Sequence, residues 1–541
     1  MSIENKIAMY RKQGFPKIWV ADQKDGTYIN PLIHADYSDP DVIKVNDDFF
    51  MVASSFNCIP GLPLLHSKDL VNWKLVNYII DSIPFDDYSI PQHGRGVWAP
   101  SIRYHDGYFM VYFAMPDEGI FMSKAKDPFG KWEPLVCVKK VRGWIDPCPF
   151  WDDDGNAYLV NAFAKSRIGF KSVLAINKMK PDGTELLDEF RIVIDGNVNH
   201  PTIEGPKMYK RNGYYYISAP AGGVATGYQV ILRSRHVYGP YEEKIVLHQG
   251  DSDINGPHQG AWVELDNGET WFIHFQDVGA YGRIIHMQPV KWVDDWPLMG
   301  VDTNGDGIGE PVKRYKKPNV GKQHPIEVPV TSDDFDKGTL GLQWQWHANQ
   351  APGWYSLNAR ENHIRLYAYN IPGNNSKLMW NAPNLLLQKL PAPSFEATTR
   401  MEFNPCSSGE RAGLAVTGTD YAYIALNKTE NKGVRLSLTF GNGDKGYEYE
   451  VEGRDIDDVP KPIYLKVHVD KGAKCTFSYS LDGEEFVPFK QEFIAREGKW
   501  IGAKVGIFCV SYENNALNQS SASIDTCKGF ADFDWFLVEE V

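Results

Sequence analysis

Three acidic residues, Asp39, Asp146 and Glu204, occupy the same place in a pattern that recurs along the 541-residue chain. Each lies nine residues before the Asp or Gly that closes the turn of a predicted β-hairpin. Carboxylates that share one pocket cannot all stay ionised without cost, so their pKa values are pushed apart. One carboxyl then becomes a proton donor near neutral pH while another remains a base, and hydrolysis of a glycosidic bond requires these two groups.

Motifs of other common chemistries are missing from the sequence. It contains no GxSxG, no HExxH, no Walker A loop and no GxGxxG after a predicted strand. The residues alone leave the role of the second carboxylate open, because it could activate water as a base or attack the sugar as a nucleophile. The pattern therefore favours a glycosidase whose mechanism the spacing does not decide.

The elements that must position these acids are five similar hairpins. Asp-Gly and Asn-Gly turns between short apolar runs are a strong hairpin signal. Units of about 50 residues with several strands are typical of β-propeller blades. We therefore predict a five-bladed propeller, in which the residues just before each first strand form a ring at one mouth. The ring positions, one from each unit, are Asp39, Trp98, Asp146, Glu204 and Gln259.

The chain divides into two predicted domains. Residues 1–310 are predicted to form the propeller, residues 311–330 a linker rich in Pro and Lys, and residues 331–541 a second domain. Short alternating runs separated by turns in the second domain indicate a β-sandwich with jelly-roll-like packing. The predicted fold class is all-β, a five-bladed β-propeller followed by a β-sandwich.

The composition indicates a globular protein with an acidic surface. Hydrophobic residues make up 43% of the chain and aromatic residues 13%, and the net charge is -13. An acidic chain argues against nucleic acid or an anionic membrane as a partner, because both need basic patches. We expect an oligosaccharide or polysaccharide partner, and the sequence indicates no oligomeric state.

The cysteines and the start of the chain bear on the cellular compartment. The seven cysteines form no CxxC pair and their number is odd, which predicts reduced, mostly buried thiols. The start lacks an apolar core of signal-peptide length, and no run of 18 apolar residues occurs. We therefore expect a cytoplasmic enzyme, although a secreted protein trimmed of its signal would begin in the same way.

Five ordered motifs carry a specific resemblance, and they read "DYSDPDV", "GVWAPSI", "WIDPCPFWDDDG", "TIEGPKMYKRNGYYY" and "GAYGRIIHMQPVKW". Together they resemble glycoside hydrolase family 43, of the β-xylosidase and α-L-arabinofuranosidase type with a C-terminal β-sandwich. The resemblance implies an inverting mechanism with Asp39 as general base and Glu204 as general acid. It also implies that Asp146 orients the acid and tunes its pKa.

The resemblance implies residues that contact the substrate as well. Trp98 lies in the segment that walls the sugar subsite in the family, and Arg283 of "YGRII" matches an Arg that reaches the sugar hydroxyls and the carboxylates. Phe56 of "ASSFN" is a candidate for a further aromatic face. Trp500 of "KWIGAKVGIFCV" is the candidate aromatic of a sandwich loop that closes the pocket in some relatives and limits cleavage to chain ends.

The ring position of the fifth unit departs from the family. Many relatives carry a His there that helps to hold a metal ion in the propeller channel, whereas this sequence has Gln259, with His258 one residue earlier. We expect either that His258 takes the metal-binding role or that the ion site is altered, with Gln259 contacting the substrate. No cofactor is expected for the chemistry, and a structural calcium ion in the channel would use His258.

The resemblance implies an exo-acting hydrolase that releases terminal α-L-arabinofuranose, β-D-xylose or both from hemicellulose, such as arabinoxylan and xylo-oligosaccharides. A retaining fructosidase of the invertase kind is one alternative, but its Glu is followed by Cys, whereas Gly205 follows Glu204 here. A non-catalytic sugar-binding propeller is the other. Three ring carboxylates argue against it, because a lectin gains nothing from desolvated like charges.

Overall fold

The computed structural model describes residues 2–372, 377–430, 433–456, 461–512 and 528–541. Strands dominate these ranges. Their helices are α1 (Ile3–Gln13), α2 (Lys165–Ile168) and single 3-10 turns at Asp86–Ser89, Gly279–Tyr281 and Met379–Asn381. Within the same ranges, no helix combines the length and the apolar character needed to cross a membrane.

The first half of the chain forms five antiparallel sheets of four consecutive strands each, which are the five predicted blades. Tight turns set the first hairpin of each blade. In blades two and four, for example, Asp106-Gly107 and Asn212-Gly213 both have positive φ at each residue, the conformation that type I′ hairpin turns require. The strands before and within the blades, four to a blade from β2 onward, are β1 (Thr27–Ile29), β2 (Asp41–Val45), β3 (Asp48–Val52), β4 (Gly61–Ser67), β5 (Trp73–Ile80), β6 (Trp98–His105), β7 (Tyr108–Met115), β8 (Gly119–Ala125), β9 (Val136–Lys139), β10 (Trp144–Trp151), β11 (Ala157–Phe163), β12 (Val173–Met179), β13 (Arg191–Asp195), β14 (Lys207–Arg211), β15 (Tyr214–Ala221), β16 (Tyr228–Ser234), β17 (Glu242–Leu247), β18 (His258–Glu264), β19 (Thr270–Asp277), β20 (Arg283–Val293) and β21 (Trp296–Met299).

Segments that flank the blades close the ring. Strand β1 pairs antiparallel with β22 (Arg314–Lys316), and Ile33 forms a β-bridge with Ile285 of β20. Apolar side chains then pack between neighbouring blades in four buried clusters. Each fully buried aliphatic or aromatic side chain stabilises this packing by about 1.5–3 kcal/mol. The closure brings the residues after Ile33, which lead to Asp39, alongside the start of β20.

The second half forms a sandwich of two eight-stranded sheets over one large apolar core. One sheet has the order β23-β27-β37-β29-β30-β31-β32 with β26 paired to β37, and the other has β24-β25-β38-β28-β33-β34-β35 with β36 paired to β34. The predicted all-β architecture of propeller and sandwich is therefore confirmed. The strands of the sandwich are β23 (Gln345–Trp346), β24 (Tyr355–Ser356), β25 (Ile364–Tyr367), β26 (Tyr369–Asn370), β27 (Leu386–Lys389), β28 (Phe395–Asn404), β29 (Glu410–Thr417), β30 (Asp420–Lys428), β31 (Val434–Asn442), β32 (Tyr447–Ile456), β33 (Ile463–Asp470), β34 (Lys474–Ser480), β35 (Val487–Pro488), β36 (Phe493–Ile494), β37 (Lys504–Ser511) and β38 (Phe530–Glu540).

The sandwich contacts the mouth of the propeller through a continuous seam. Ile59 forms a β-bridge with Trp346, and the backbone N–H of Ala503 donates a hydrogen bond of 2.7 Å to the carbonyl of Ala280. Helix α1 packs on the sandwich, where its buried residues join an apolar cluster with Trp535. The loop that leads into β37 thereby reaches the propeller's mouth.

The cysteines differ in part from the prediction of reduced thiols. Cys406 is disulfide-bonded, so the prediction is wrong for this residue. Cys527 lies outside the described residues. The predicted cytoplasmic location stays a prediction. The remaining cysteines are free thiols, at positions Cys58, Cys137, Cys148, Cys475 and Cys509.

Candidate active site

A pocket at one mouth of the propeller contains all three acids of the sequence pattern. Its cavity volume is about 100 Å³, far below the roughly 300–1,000 Å³ of pockets for drug-sized ligands. A space of this size suits a single sugar ring better than a run of sugars. The lining residues are Asp39, Phe56, Trp98, Ala99, Ile145, Asp146, Glu204, Val224, Gln259, Arg283 and Trp500.

Irregular backbone at the start of each first strand turns these side chains toward the pocket. Asp39 and Asp146 adopt positive φ of 57° and 56°, Gln259 has φ 31°, and Gly205, directly after Glu204, has φ 56°. The pairing register of β10 shifts between Ile145 and Cys148, and β6 and β18 show similar shifts at their starts. Bulges re-aim side chains, and strained φ values of this kind concentrate at functional sites.

Asp39 is held by three hydrogen-bond donors. Arg283 Nη1 donates to its Oδ1 at 2.9 Å, while the hydroxyls of Ser38 and Ser54 donate to its Oδ2 at 2.9 and 2.6 Å. The side chain is buried except for its face toward the pocket. All three donors need an acceptor, which an ionised carboxylate provides. The arrangement suits a group that receives a proton.

Asp146 contacts the backbone beside Glu204. Its Oδ2 accepts a hydrogen bond of 2.8 Å from the N–H of Gly205. Burial raises the pKa of Asp146, and the charge of Asp39 raises it further, while the Gly205 N–H opposes both. Because Gly205 directly follows Glu204, Asp146 fixes the backbone from which the Glu204 side chain extends.

Glu204 has the environment of a protonated acid. Burial raises its pKa to about 8, and the charge of Asp146 adds to the effect, while Arg283 opposes it. The side chain still exposes 27% of its surface, which faces the pocket. A carboxyl whose pKa lies near or above neutrality can donate a proton to a leaving group at physiological pH.

His258 lies beneath the acid, with its Nε2 3.5 Å from Glu204 Oε1. Burial lowers the pKa of His258 to about 3, so the ring is neutral. Calcium takes six to eight oxygen ligands, whereas Glu204 is the one carboxylate that contacts this imidazole in the described part of the chain. No group of three or more His, Cys, Asp or Glu side chains in that part could hold a metal. Both ring nitrogens of His258 are buried without a hydrogen-bond partner among the described residues, and water molecules can serve as calcium ligands, so the calcium predicted at His258 stays a prediction.

Aromatic rings form the remaining wall. The ring centroids of Phe56 and Trp98 are 6.1 Å apart, and Trp500 of the sandwich packs edge-on against Trp98, also at 6.1 Å. The guanidinium of Arg283 lies 5.9 Å from the Trp500 ring centroid, and that of Arg167 lies 5.1 Å from the Trp98 ring. The structure thus brings together every predicted substrate-contacting residue, including Gln259, whose side chain abuts Gly205.

Besides Ala99 and Ile145, which lie in quoted motifs but were not predicted to line the pocket, sequence reasoning missed four contributors to the site. Ser38 and Ser54 bind Asp39, Arg167 covers Trp98, and Val224 lines the pocket. Ser38 precedes Asp39 directly, so a search for donors beside the ring acids could have found it. Arg167 and Val224 lie between blade motifs and carry no sequence signal of their own.

Comparisons with known proteins match both halves of the chain. Residues 28–297 match the family model described as glycosyl hydrolases family 43, and residues 332–539 match that of the beta xylosidase C-terminal concanavalin A-like domain. A putative beta-xylosidase of Xylanibacter ruminicola is 41% identical over 90% of this chain and 86% of that protein. A beta-xylosidase of Formosa agariphila is 31% identical over 95% of this chain and 90% of that protein.

Two further relatives bear on activity and fold. A non-reducing end alpha-L-arabinofuranosidase of Bacteroides ovatus is 32% identical over 96% of both chains. A solved mutant of a family 43 protein from Bacillus licheniformis matches with a TM-score of 0.80 and 26% identity, over 95% of this chain and 100% of that chain. The resemblance inferred from the five motifs is therefore confirmed.

Proposed function

The chain belongs to glycosyl hydrolase family 43, and from that premise we propose that it is an exo-acting, inverting glycosidase. Its proposed products are terminal β-D-xylose, α-L-arabinofuranose or both, released from hemicellulose fragments. Relatives named for each activity cover most of the chain, which supports both sugars. The observation that carries the proposal is one pocket in which Asp39 is bound by cationic and hydroxyl donors while the pKa of Glu204 is raised.

The proposed mechanism assigns one proton transfer to each of two carboxyls. Asp39 takes a proton from a water molecule while the oxygen of that water forms a bond to the anomeric carbon. Glu204 gives its proton to the glycosidic oxygen as the bond from that oxygen to the anomeric carbon breaks. Asp146 keeps the pKa of Glu204 high and holds the Gly205 backbone. No step of this mechanism uses a metal ion.

Exo action follows from the shape of the pocket and its outer wall. The cavity holds about 100 Å³, and the sandwich contributes Trp500 at its rim, where 52% of the side chain remains exposed. An exposed rim aromatic can stack on the sugar that follows the scissile bond, while the buried end accepts one terminal ring. A long polysaccharide chain could not pass through.

The first test is a pair of kcat/KM measurements on nitrophenyl β-D-xyloside and nitrophenyl α-L-arabinofuranoside. Comparable values would indicate a dual enzyme, and a large bias would assign the preferred sugar. NMR of the first-formed product decides the mechanism, because inversion of a β-xyloside yields α-xylose. Retained configuration would instead support a fructosidase-like mechanism, and inactivity on both sugars would refute the proposed substrates.

A matched pair of variants tests whether the ring acids are catalytic. We expect Asp39→Asn to abolish turnover of the preferred substrate while the protein stays folded, because the base is lost and Arg283 keeps a neutral partner. Asp154→Asn, at an exposed hairpin turn of blade three, should leave kcat/KM unchanged. Full turnover by the Asp39 variant would remove this residue from the mechanism and favour a different role for the pocket.

A further inference from the structure

A buried carboxylate outside the group of three acids joins two walls of the pocket. Asp36 lies three residues before Asp39, and 4% of it is exposed. Its Oδ1 accepts a hydrogen bond of 2.9 Å from the backbone N–H of Arg283, and its Oδ2 accepts one of 2.9 Å from the N–H of Gly502. The first donor belongs to the propeller, and the second belongs to the sandwich loop that carries Trp500.

The two segments meet backbone against backbone at this carboxylate. A Cβ added to Gly502 would lie 2.7 Å from the nitrogen of Gly282, and one added to Gly282 would lie 2.5 Å from Asp36 Cγ. The hydrogen bond from Ala503 to Ala280 continues the same contact. No side chain fits between the segment of Gly282 and that of Gly502. We therefore expect a change of the Asp36 side chain to shift the backbone of both segments.

Both donors belong to segments that also carry a side chain of the pocket. The side chain of Arg283 binds Asp39, so the backbone position of Arg283 sets where that guanidinium meets the carboxylate. Trp500 lies two residues before Gly502, and its ring contacts the pocket through Trp98 and Arg283. Edge-on ring contacts of this kind contribute only about 0.5–1.5 kcal/mol each. The hydrogen bond from Gly502 to Asp36 therefore acts together with that from Ala503 to Ala280 to hold the Trp500 loop on the propeller.

We propose that Asp36 is a positioning residue that fixes the Arg283 strand and the Trp500 loop to each other. Asp39, which Arg283 binds, is thereby held in a fixed position relative to the Trp500 rim of the pocket. Asp36 lines no part of the pocket and acts through its two backbone partners. Its effect on turnover rests on the proposed function, whereas its effect on the two backbone N–H groups does not.

Asp36→Asn tests the proposal, because Asn keeps the shape but replaces one acceptor oxygen by an NH₂ group that faces a backbone N–H. We expect kcat/KM for the preferred pentoside to fall about 10- to 100-fold, as expected for ångström-scale misplacement. A fall in kcat would report the Arg283 side, and a rise in KM for a disaccharide would report the Trp500 side. Unchanged kinetic parameters would overturn the proposal.

Asp69→Asn is the matched control. Asp69 is 1% exposed, and its Oδ1 also accepts two backbone N–H groups, from Val71 and Asn72 at 3.0 and 2.8 Å. Those partners lie within blade one and touch no residue of the pocket. We expect this variant to lose stability without a change in kcat/KM. Equal losses of activity in both variants would mean that Asp36 acts only through general stability, which would also overturn the proposal.

Hydrogen exchange followed by mass spectrometry gives a readout that needs no turnover, and its first comparison uses the unaltered protein alone. In the unaltered protein, one carboxylate holds the amides of Arg283 and Gly502, so both should lose protection together as urea is raised. In Asp36→Asn both peptides should exchange faster, and in Asp69→Asn neither should. Separate opening of the two amides would refute the proposed positioning role even if the enzyme hydrolyses pentosides as proposed.

Discussion

Replacing Asp146 by Asn removes one negative charge beside Glu204 while it keeps the shape of the side chain. The carboxamide oxygen can still accept the hydrogen bond from Gly205, which spans 2.8 Å in the native protein. Burial is the main cause of the raised pKa of Glu204, and the charge of Asp146 is the next. Without that charge, we expect Glu204 to lose its proton at a lower pH.

The size of the change follows from the order of these causes. An opposite charge beside a carboxylate shifts its pKa by about 1–3 units, and we expect a like charge at similar distance to act with similar size and opposite sign, while burial persists in the variant. We therefore expect the pKa of Glu204 to fall by about 1–2 units from its value of about 8, which corresponds to roughly 1.4–2.7 kcal/mol. Since turnover needs the protonated acid, kcat/KM should begin to decline at correspondingly lower pH.

The assay is the pH profile of kcat/KM for the preferred nitrophenyl pentoside, for the native protein and for Asp146→Asn. A dinitrophenyl substrate is the control, because its leaving group needs little protonation and its rate should show a weaker alkaline decline. In the native protein the charge of Asp146 contributes to the raised pKa of Glu204, and the variant removes that contribution. An alkaline limb that stays in place would refute the electrostatic role of Asp146, whatever happens to kcat.

Three further predictions address the acid, the rim and the disulfide. The folded pKa of Glu204 is raised, so its contribution to stability is complete below about pH 4 and is lost as the pH rises through about 8. Glu204→Gln should therefore gain stability relative to the native protein between pH 5 and pH 9, by a few kcal/mol, and a constant difference in Tm would contradict this. Trp500→Ala should raise KM for xylobiose several-fold, about the loss of one aromatic contact, and an unchanged KM would exclude Trp500 from the subsite. Cys406 should resist alkylation in the denatured protein until a reductant is added, as read by peptide mass spectrometry.

The repeat made much of the site predictable from sequence. Asp39, Trp98, Asp146, Glu204 and Gln259 share one position relative to a hairpin turn, and all five line one pocket. The reason is geometric, because blades related by rotation about an axis place equivalent residues at equivalent radius and height. Residues that recur at the same point of each repeat therefore lie side by side around the ring.

No comparable rule predicts which residues meet between blades or between domains. Arg167 reaches Trp98 from α2, after β11 in the next blade, and its distance from that ring depends on packing that no local pattern encodes. The calcium prediction at His258 stays a prediction, because water molecules can supply calcium ligands that no sequence pattern encodes. Residues that act through tertiary contacts were therefore found only in the structure.

The charges buried around the pocket explain why one acid keeps its proton. Arg283 binds Asp39, and Lys207 is fully buried nearby, where its Nζ donates to Pro100 O and Ser101 Oγ at 2.8 Å each. The charges of both cations lower the pKa of Asp146. Arg283 also interacts with Asp36 and Asp277, so these two cations do not fully balance Asp39 and Asp146. A third negative charge among the ring acids would stand uncompensated in a poorly solvated site.

Protonation is the least costly way to remove that third charge. Asp39 has a direct cationic partner and Asp146 has a backbone donor, whereas Glu204 has the highest raised pKa of the group. The proton is therefore expected on Glu204, the carboxyl whose side chain extends into the pocket. The pKa of Glu204 therefore depends on the balance of buried charge, and removing the charge of Arg283 should raise it as removing that of Asp146 should lower it.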